Sequence, residues 1–150
     1  MFVYLAHHGQ AVGPEVDTQR PLSTLGRGQV DALAALAAGR AVRPDVIWHS
    51  GKLRARQTAE AYWRACHPLA EFSASRWMQP DDPPRLADLL AVEDRDVLLA
   101  GHMPHVERLR RALLGASGEL APFPPHGLVA IERVDQGWAE RWLLAPPEGG

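Results

Sequence analysis

Histidines gather where buried strands are expected to end. His7, His8 and Gly9 follow the apolar run FVYLA, His49, Ser50 and Gly51 finish the run DVIWHS with Arg54 just beyond, and Gly101 and His102 follow DVLLA. A neutral imidazole beside cationic groups is a competent nucleophile toward phosphorus, and the phosphoramidate it forms is labile enough for water to break. A transferring phosphoryl group spreads negative charge over its equatorial oxygens, so fixed N–H donors and a guanidinium around it stabilise the transition state. Glycines at positions 9, 51 and 101 let backbone come close to such a group.

These residues lie far apart in the chain, and only a particular fold brings them together. FVYLA (residues 2–6) is a short continuous apolar run, as in a strand buried on both faces, and DVIWHS (45–50) and DVLLA (96–100) read as further buried strands. Between them, LSTLGRGQVDALAALAAGR predicts a helix capped by Ser23 or Thr24. Its apolar positions are Leu25, Val30, Leu33, Leu36 and Ala37, and Gly39 is placed to end it. LRARQTAEAYWRAC (53–66) predicts a second helix, RLADLLA (85–91) a short third, and PHVERLRRALLG (104–115) a fourth with Pro104 in its first turn. EFSASRW (71–77) is a further strand candidate, and the proline-rich QPDDPP (79–84) a loop. LVAIERV and WAERWLL alternate and join at Asp135-Gln136-Gly137 as a hairpin, and the tail APPEGG is expected to fray. Strands alternating with helices give a three-layer α/β/α sandwich with a mostly parallel sheet and a C-terminal antiparallel hairpin, in one domain over residues 1–150. Ligands of such sheets sit beyond the C-terminal strand ends, where the histidines and Arg54 converge.

Bulk composition narrows the function classes. With 150 residues, 46% hydrophobic and a net charge of −2, the chain is globular and has no strong pull toward nucleic acid or an anionic membrane. No apolar segment has the length of a membrane span, and no signal peptide is legible at the N-terminus. The single cysteine, Cys66, cannot form an internal disulfide and reads as a small buried residue. Together these features lead us to expect a cytoplasmic protein.

Four segments carry a resemblance. LAHHGQA resembles the L-x-R-H-G motif of the histidine phosphatase superfamily, also called phosphoglycerate mutase-like, and RPLSTLGRGQ resembles the segment that follows it in small bacterial members. HSGKLRARQTAE is similar to S-x-x-x-R-A-x-Q-T-A, and LLAGHMPHVERL to the later G-H-x-P motif. The motifs keep the family order, and the short length resembles the SixA-type phosphohistidine phosphatases most. The resemblance implies a phosphatase acting on phosphohistidine, in a protein, or on a small phosphorylated molecule, with no metal and no organic cofactor. It implies His8 as the phosphorylated nucleophile, Arg54 and His102 as ligands of the phosphoryl oxygens, and Gly9 as the tight turn after the first strand. Arg20 matches a segment near the pocket without a defined role. Asp81 and Asp82 lie where relatives place a loop acid, a proton donor for an alkoxide leaving group.

One departure concerns the arginine that precedes the family histidine, which is His7 here. Arginine keeps a permanent charge and five donors, whereas histidine offers one donor when neutral and titrates near pH ~6.5. Three readings of His7 stay open: a phosphate ligand, a metal ligand, or a decayed site. The alternative to the enzyme is accordingly a repurposed member of the fold that binds a metal or an anion through His7, His8 and His102 without turnover. His105 also departs from the pattern and reads as a surface residue or one behind the site. His49 reads as a pocket wall or a satisfied buried histidine. His67 and His126 read as loop residues, the five tryptophans as core and hairpin packing, and ERLRR (107–111) and Arg56 as solvated helix faces.

Overall fold

The computed structural model describes residues 1–115 and 119–148. In chain order the elements are β1 (Phe2–His7), α1 (Thr24–Gly39), β2 (Val46–His49), α2 (Leu53–Cys66), β3 (Glu71–Ala74), α3 (Leu86–Ala91), β4 (Val97–Gly101), α4 (His105–Leu114), β5 (Leu128–Val134) and β6 (Gly137–Leu144). The strands form one sheet in the order β3-β2-β4-β1-β5-β6. The β3-β2, β2-β4 and β4-β1 pairs are parallel, while β5 runs antiparallel to both β1 and β6.

The central strands are apolar throughout because both faces of the sheet are covered. Tyr4 and Ala6 of β1 pack with Ile47, Leu98, Ala100 and Leu128 against Val30, Leu33 and Ala37 of α1 and Tyr62 of α2. Val3 and Leu5 point the other way, with Val97, Leu99 and Val129, against Leu86 and Leu90 of α3 and Val106 and Leu109 of α4. The period-two alternation of a strand thus feeds two cores at once. The bounds of α2 and β5 coincide with the sequence expectation, and β3 is shorter, ending at Ala74. Among the described residues no helix is long and apolar enough to cross a membrane.

Several expectations are corrected. The buried face of α1 is Val30, Leu33, Ala34 and Ala37, while Leu25 and Leu36 are 44% and 51% exposed. They fall outside the i, i+3, i+4, i+7 stripe of that face. The run ERLRR is not wholly a solvated face, because Arg110 is only 1% exposed. Its Nε donates to Glu140 of β6 at 2.7 Å, and Nη1 meets Glu107 at 3.2 Å. Trp77 is 43% exposed under the Arg85 guanidinium rather than in the core. The expected fraying of the tail falls partly on Gly149 and Gly150, outside the described residues. Before them, the Pro147 carbonyl accepts from Gln29 Nε2 at 3.5 Å.

The loop after β1 is pressed onto α1. Ser23 caps the helix by accepting from the Gly26 N–H at 2.9 Å, and the Ser23 N–H donates to the Gln10 carbonyl at 2.9 Å. A Cβ on Gly26 would overlap that Gln10 carbonyl, whereas one on Gly28 meets nothing. Gly26→Ala should therefore cost about 1–3 kcal/mol, as overpacking typically does. Gly28→Ala should stabilise by about 0.5–1 kcal/mol through helix propensity. Urea unfolding of the two variants checks this, and equal effects would contradict the close approach.

Candidate active site

Three strand ends and one helix start meet at the carboxyl edge of the sheet. β1 delivers His7 and His8, and the His8 N–H donates to the Gly101 carbonyl at 3.0 Å. β4 delivers His102, whose ring centroid lies 5.0 Å from that of His8. β2 leads to Ser50, and the first turn of α2 carries Arg54. The QTA segment of α2 ties this turn to the loop after β1. Thr58 Oγ1 accepts from the Gly9 N–H at 2.9 Å and donates to the Arg54 carbonyl at 2.8 Å. Gln57 Oε1 accepts from the Leu22 N–H at 2.8 Å.

Backbone partners decide which ring nitrogens carry protons. A carbonyl can only accept, so His8 Nδ1 holds the proton it gives to Gly9 O at 2.7 Å. The lone pair of the neutral ring is then on Nε2. His126 follows the same rule, with Nδ1–H donating to His8 O at 2.7 Å. His7 is the opposite case, because its Nδ1 accepts the His126 N–H at 2.8 Å. Neutral His7 therefore carries its proton on Nε2 and offers it as a donor. His102 Nε2 meets Ser50 Oγ at 2.6 Å, and that oxygen also accepts the Lys52 N–H at 3.3 Å. When Nε2 accepts the Ser50 hydroxyl proton, the neutral ring carries its own proton on Nδ1. His102 Nδ1 and Arg54 Nε are both buried without a protein partner. Such atoms are costly unless a ligand or water satisfies them.

Burial holds the rings neutral. It lowers His8 to about 4, helped by the Arg54 charge and opposed by the Gly9 carbonyl bond. His7 is lowered to about 3, by burial and then by His8 and His126. His102 is lowered to about 3, by burial and then by His8, Arg54 and Lys52. Desolvation disfavours the cation, and neighbouring positive groups add to that.

His126 is the residue that the sequence reading passed over as a loop histidine. It stacks on His7 at 4.7 Å with an interplanar angle of 10°, in a left-handed backbone conformation of φ 57°. His7, His8 and His126 could in principle hold a metal, with ligand atoms within 4.8 Å of one another. The proton on His7 Nε2 argues against it, since a metal-binding imidazole nitrogen must present a lone pair.

The remaining candidates sit further out. The loop of Asp81 and Asp82 reaches the site through Gln79, whose Nε2 donates to Ser50 O at 2.9 Å. Asp82 itself accepts the Gln79 N–H at 2.8 Å, and its charge acts on His105. Asp81 is exposed. Neither carboxylate is among the groups acting on His8. His105 is not a surface residue: it is 0% exposed, with both ring nitrogens unpartnered. It belongs to the buried face of α4 with Val106 and Leu109. His49 is buried and satisfied, accepting the Gly51 N–H at 3.0 Å. Arg56 is exposed and pairs with Glu60. Arg20, at φ 50°, donates from Nε to Val12 O at 3.1 Å.

Histidines held below their unfolded value of about 6.5 bind fewer protons folded than unfolded. Their contribution is complete above pH ~6.5 and is lost as pH falls toward the folded values of His7, His8 and His102. The urea midpoint should drop between pH 7 and pH 5, and His102→Asn should flatten that slope. An unchanged midpoint across the window contradicts neutral burial.

A sequence model of the histidine phosphatase superfamily (branch 1) matches residues 3–79. Among solved structures, the chain is 30% identical to a protein assigned as the phosphohistidine phosphatase SixA of Agrobacterium tumefaciens, with 97% of each chain covered and a TM-score of 0.78. The protein histidine phosphatase SixA solved with tungstate is 24% identical, covers 97% of each chain, and gives a TM-score of 0.82. A mycobacterial glucosyl-3-phosphoglycerate phosphatase shares the fold at 18% identity, with 97% of this chain and 99% of that chain covered and a TM-score of 0.71. No curated protein sequence matches significantly. The family match spans half the chain and includes the His7-His8-Gly9 turn and Arg54, so the chain belongs to the histidine phosphatase superfamily.

Proposed function

We propose that the protein is a phosphatase of the SixA type that works through a phosphoryl group carried on His8. The observation that carries this reading is the His8 ring itself. Its Nδ1–H is held by Gly9 O at 2.7 Å, and burial keeps it neutral, so Nε2 presents a lone pair at pH 7. Nε2 attacks phosphorus, and the bond from phosphorus to the leaving group breaks. Water then breaks the new P–N bond, returning neutral His8 and inorganic phosphate. Arg54, His102 Nδ1–H and His7 Nε2–H hold the phosphoryl oxygens, and Gly9 keeps the turn tight. The buried, unpartnered Arg54 Nε and His102 Nδ1 fit that role.

The leaving group follows from the acids. Asp82 is engaged by its own loop, so an alkoxide would receive little help at this site. Imidazole is a far weaker base than an alkoxide and leaves more readily. This supports phosphohistidine, in a protein, over ordinary phosphomonoesters, with a small phosphoramidate as the other candidate. Relatives solved as SixA phosphohistidine phosphatases support the same class. The loop acid of the family pattern would then be Asp81, which is exposed on that loop. The buried, unpaired Cys66 suits a cytoplasmic location.

Hydrolysis of phosphoramidate between pH 5 and 8, with chelator present, tests the reading. Wild-type turnover should persist in chelator, and His8→Ala should lose at least ~10³-fold, as removal of a covalent nucleophile does. Turnover unaffected by His8→Ala, or abolished by chelator, would sink the proposal, and absence of turnover with a metal bound stoichiometrically would favour the metal-binding alternative. The neutral nucleophile predicts activity that holds down to pH 5 rather than collapsing below the ordinary histidine value. In the same assay His7→Arg should raise kcat/KM about tenfold at pH 7, because a charge-assisted donor is roughly twice as strong as a neutral one. An unchanged or lower value means that His7 is not a weakened arginine.

A further inference from the structure

The first turn of α2 carries positive charge besides that of Arg54. Lys52, Arg54 and Arg56 line an open groove of about 370 Å³ together with Thr18, Gln19 and Gly51. Arg56 is matched by Glu60, with Nε to Oε1 at 3.1 Å. Among the described residues, Arg20, Lys52 and Arg54 form no ion pair. Asp17, on the loop that lines the groove, accepts the Gln19 N–H at 2.9 Å.

The unpaired cations share one field with the histidines. The Arg20 charge acts on both Arg54 and His8, and the Lys52 charge acts on His102. Clustered like charges repel, and an anion seated among them recovers that energy. This clustering occurs on a chain whose net charge is −2, so it is not a general excess of basic residues. Arg54 lines the groove and, in the phosphoryl reading, also holds the phosphoryl oxygens, so the two sites share that residue.

We propose that this groove is a second oxyanion subsite, in which Lys52, with Arg54 beside it, receives an anionic group next to the scissile phosphoryl. The inference rests on the phosphoryl reading of the His8 pocket and adds to it the chemical class of substrate: one with two neighbouring anionic groups. Arg54 spans the two groups, and Lys52 discriminates between substrates that have the second group and those that do not.

Calorimetric titration at pH 7 with inorganic phosphate and with methylenediphosphonate tests this without any turnover. Methylenediphosphonate carries two phosphoryl groups and cannot be hydrolysed between them. It should bind at least tenfold more tightly than phosphate. Lys52→Ala should remove most of that advantage and leave the phosphate Kd within twofold. Arg43→Ala, an exposed charge outside the groove, should change neither. Phosphate binding with no gain for methylenediphosphonate overturns the subsite and leaves the pocket reading standing. An equal loss in Lys52→Ala and Arg43→Ala also overturns it, because the gain would then be diffuse attraction. Failure of both ligands to bind overturns the subsite and the pocket reading together.

Discussion

The Gly9 carbonyl accepts the His8 Nδ1 proton at 2.7 Å, and the chemistry of this site depends on that bond. It makes Nε2 the only atom of the ring with a lone pair while the ring is neutral. Gly9 can play this part because Thr58 Oγ1 holds its N–H at 2.9 Å, and Thr58 is itself anchored to the Arg54 carbonyl. One side chain of α2 therefore connects the nucleophile's orientation to the phosphoryl-binding arginine. The loop is seated further by Gly26, whose lack of a side chain lets α1 close on the Gln10 backbone. Sheet, helices and loop thus converge on one proton position.

A pocket of neutral imidazoles differs in kind from one built on a permanent cation beside the nucleophile. His7 supplies direction without charge, because the His126 backbone N–H decides its tautomer. His126 in turn donates to His8 O and His8 to Gly9 O, so the three rings are oriented by a chain of hydrogen bonds to backbone atoms. Fixed charge at the phosphoryl group is left to Arg54, on the α2 side. Attraction for that group is consequently lopsided, strong on the Arg54 side and weak on the β1 side.

Much of this was legible from the chain. Residues 2–6, 46–48 and 97–100 are apolar in unbroken runs because both sheet faces are covered, and such runs end where the site begins. The placement of His8, Arg54 and His102 followed from those ends together with the family motifs. His126 was not legible, because its contacts are with residues 118 and 119 positions away and pass through backbone atoms that carry no residue signature. Arg110 misled for a similar reason: its local pattern is that of a solvated helix, and Glu140, the partner that permits its burial, arrives from β6. His105 reads as a surface residue or one behind the site, and its burial on the inner face of α4 removes the first of these. Asp81 and Asp82 were legible as a loop near the site, but not the turn that engages Asp82 with Gln79.

The most direct measurement is to locate the phosphoryl group on the protein. Wild-type protein is mixed with phosphoramidate, quenched in base to preserve phosphohistidine, and analysed by peptide mass mapping and phosphorus–nitrogen NMR correlation. The account predicts a single phosphoryl group, on Nε2 of His8. A phosphoryl group on Nδ1 of His8, on another histidine, or on none during active turnover would contradict it.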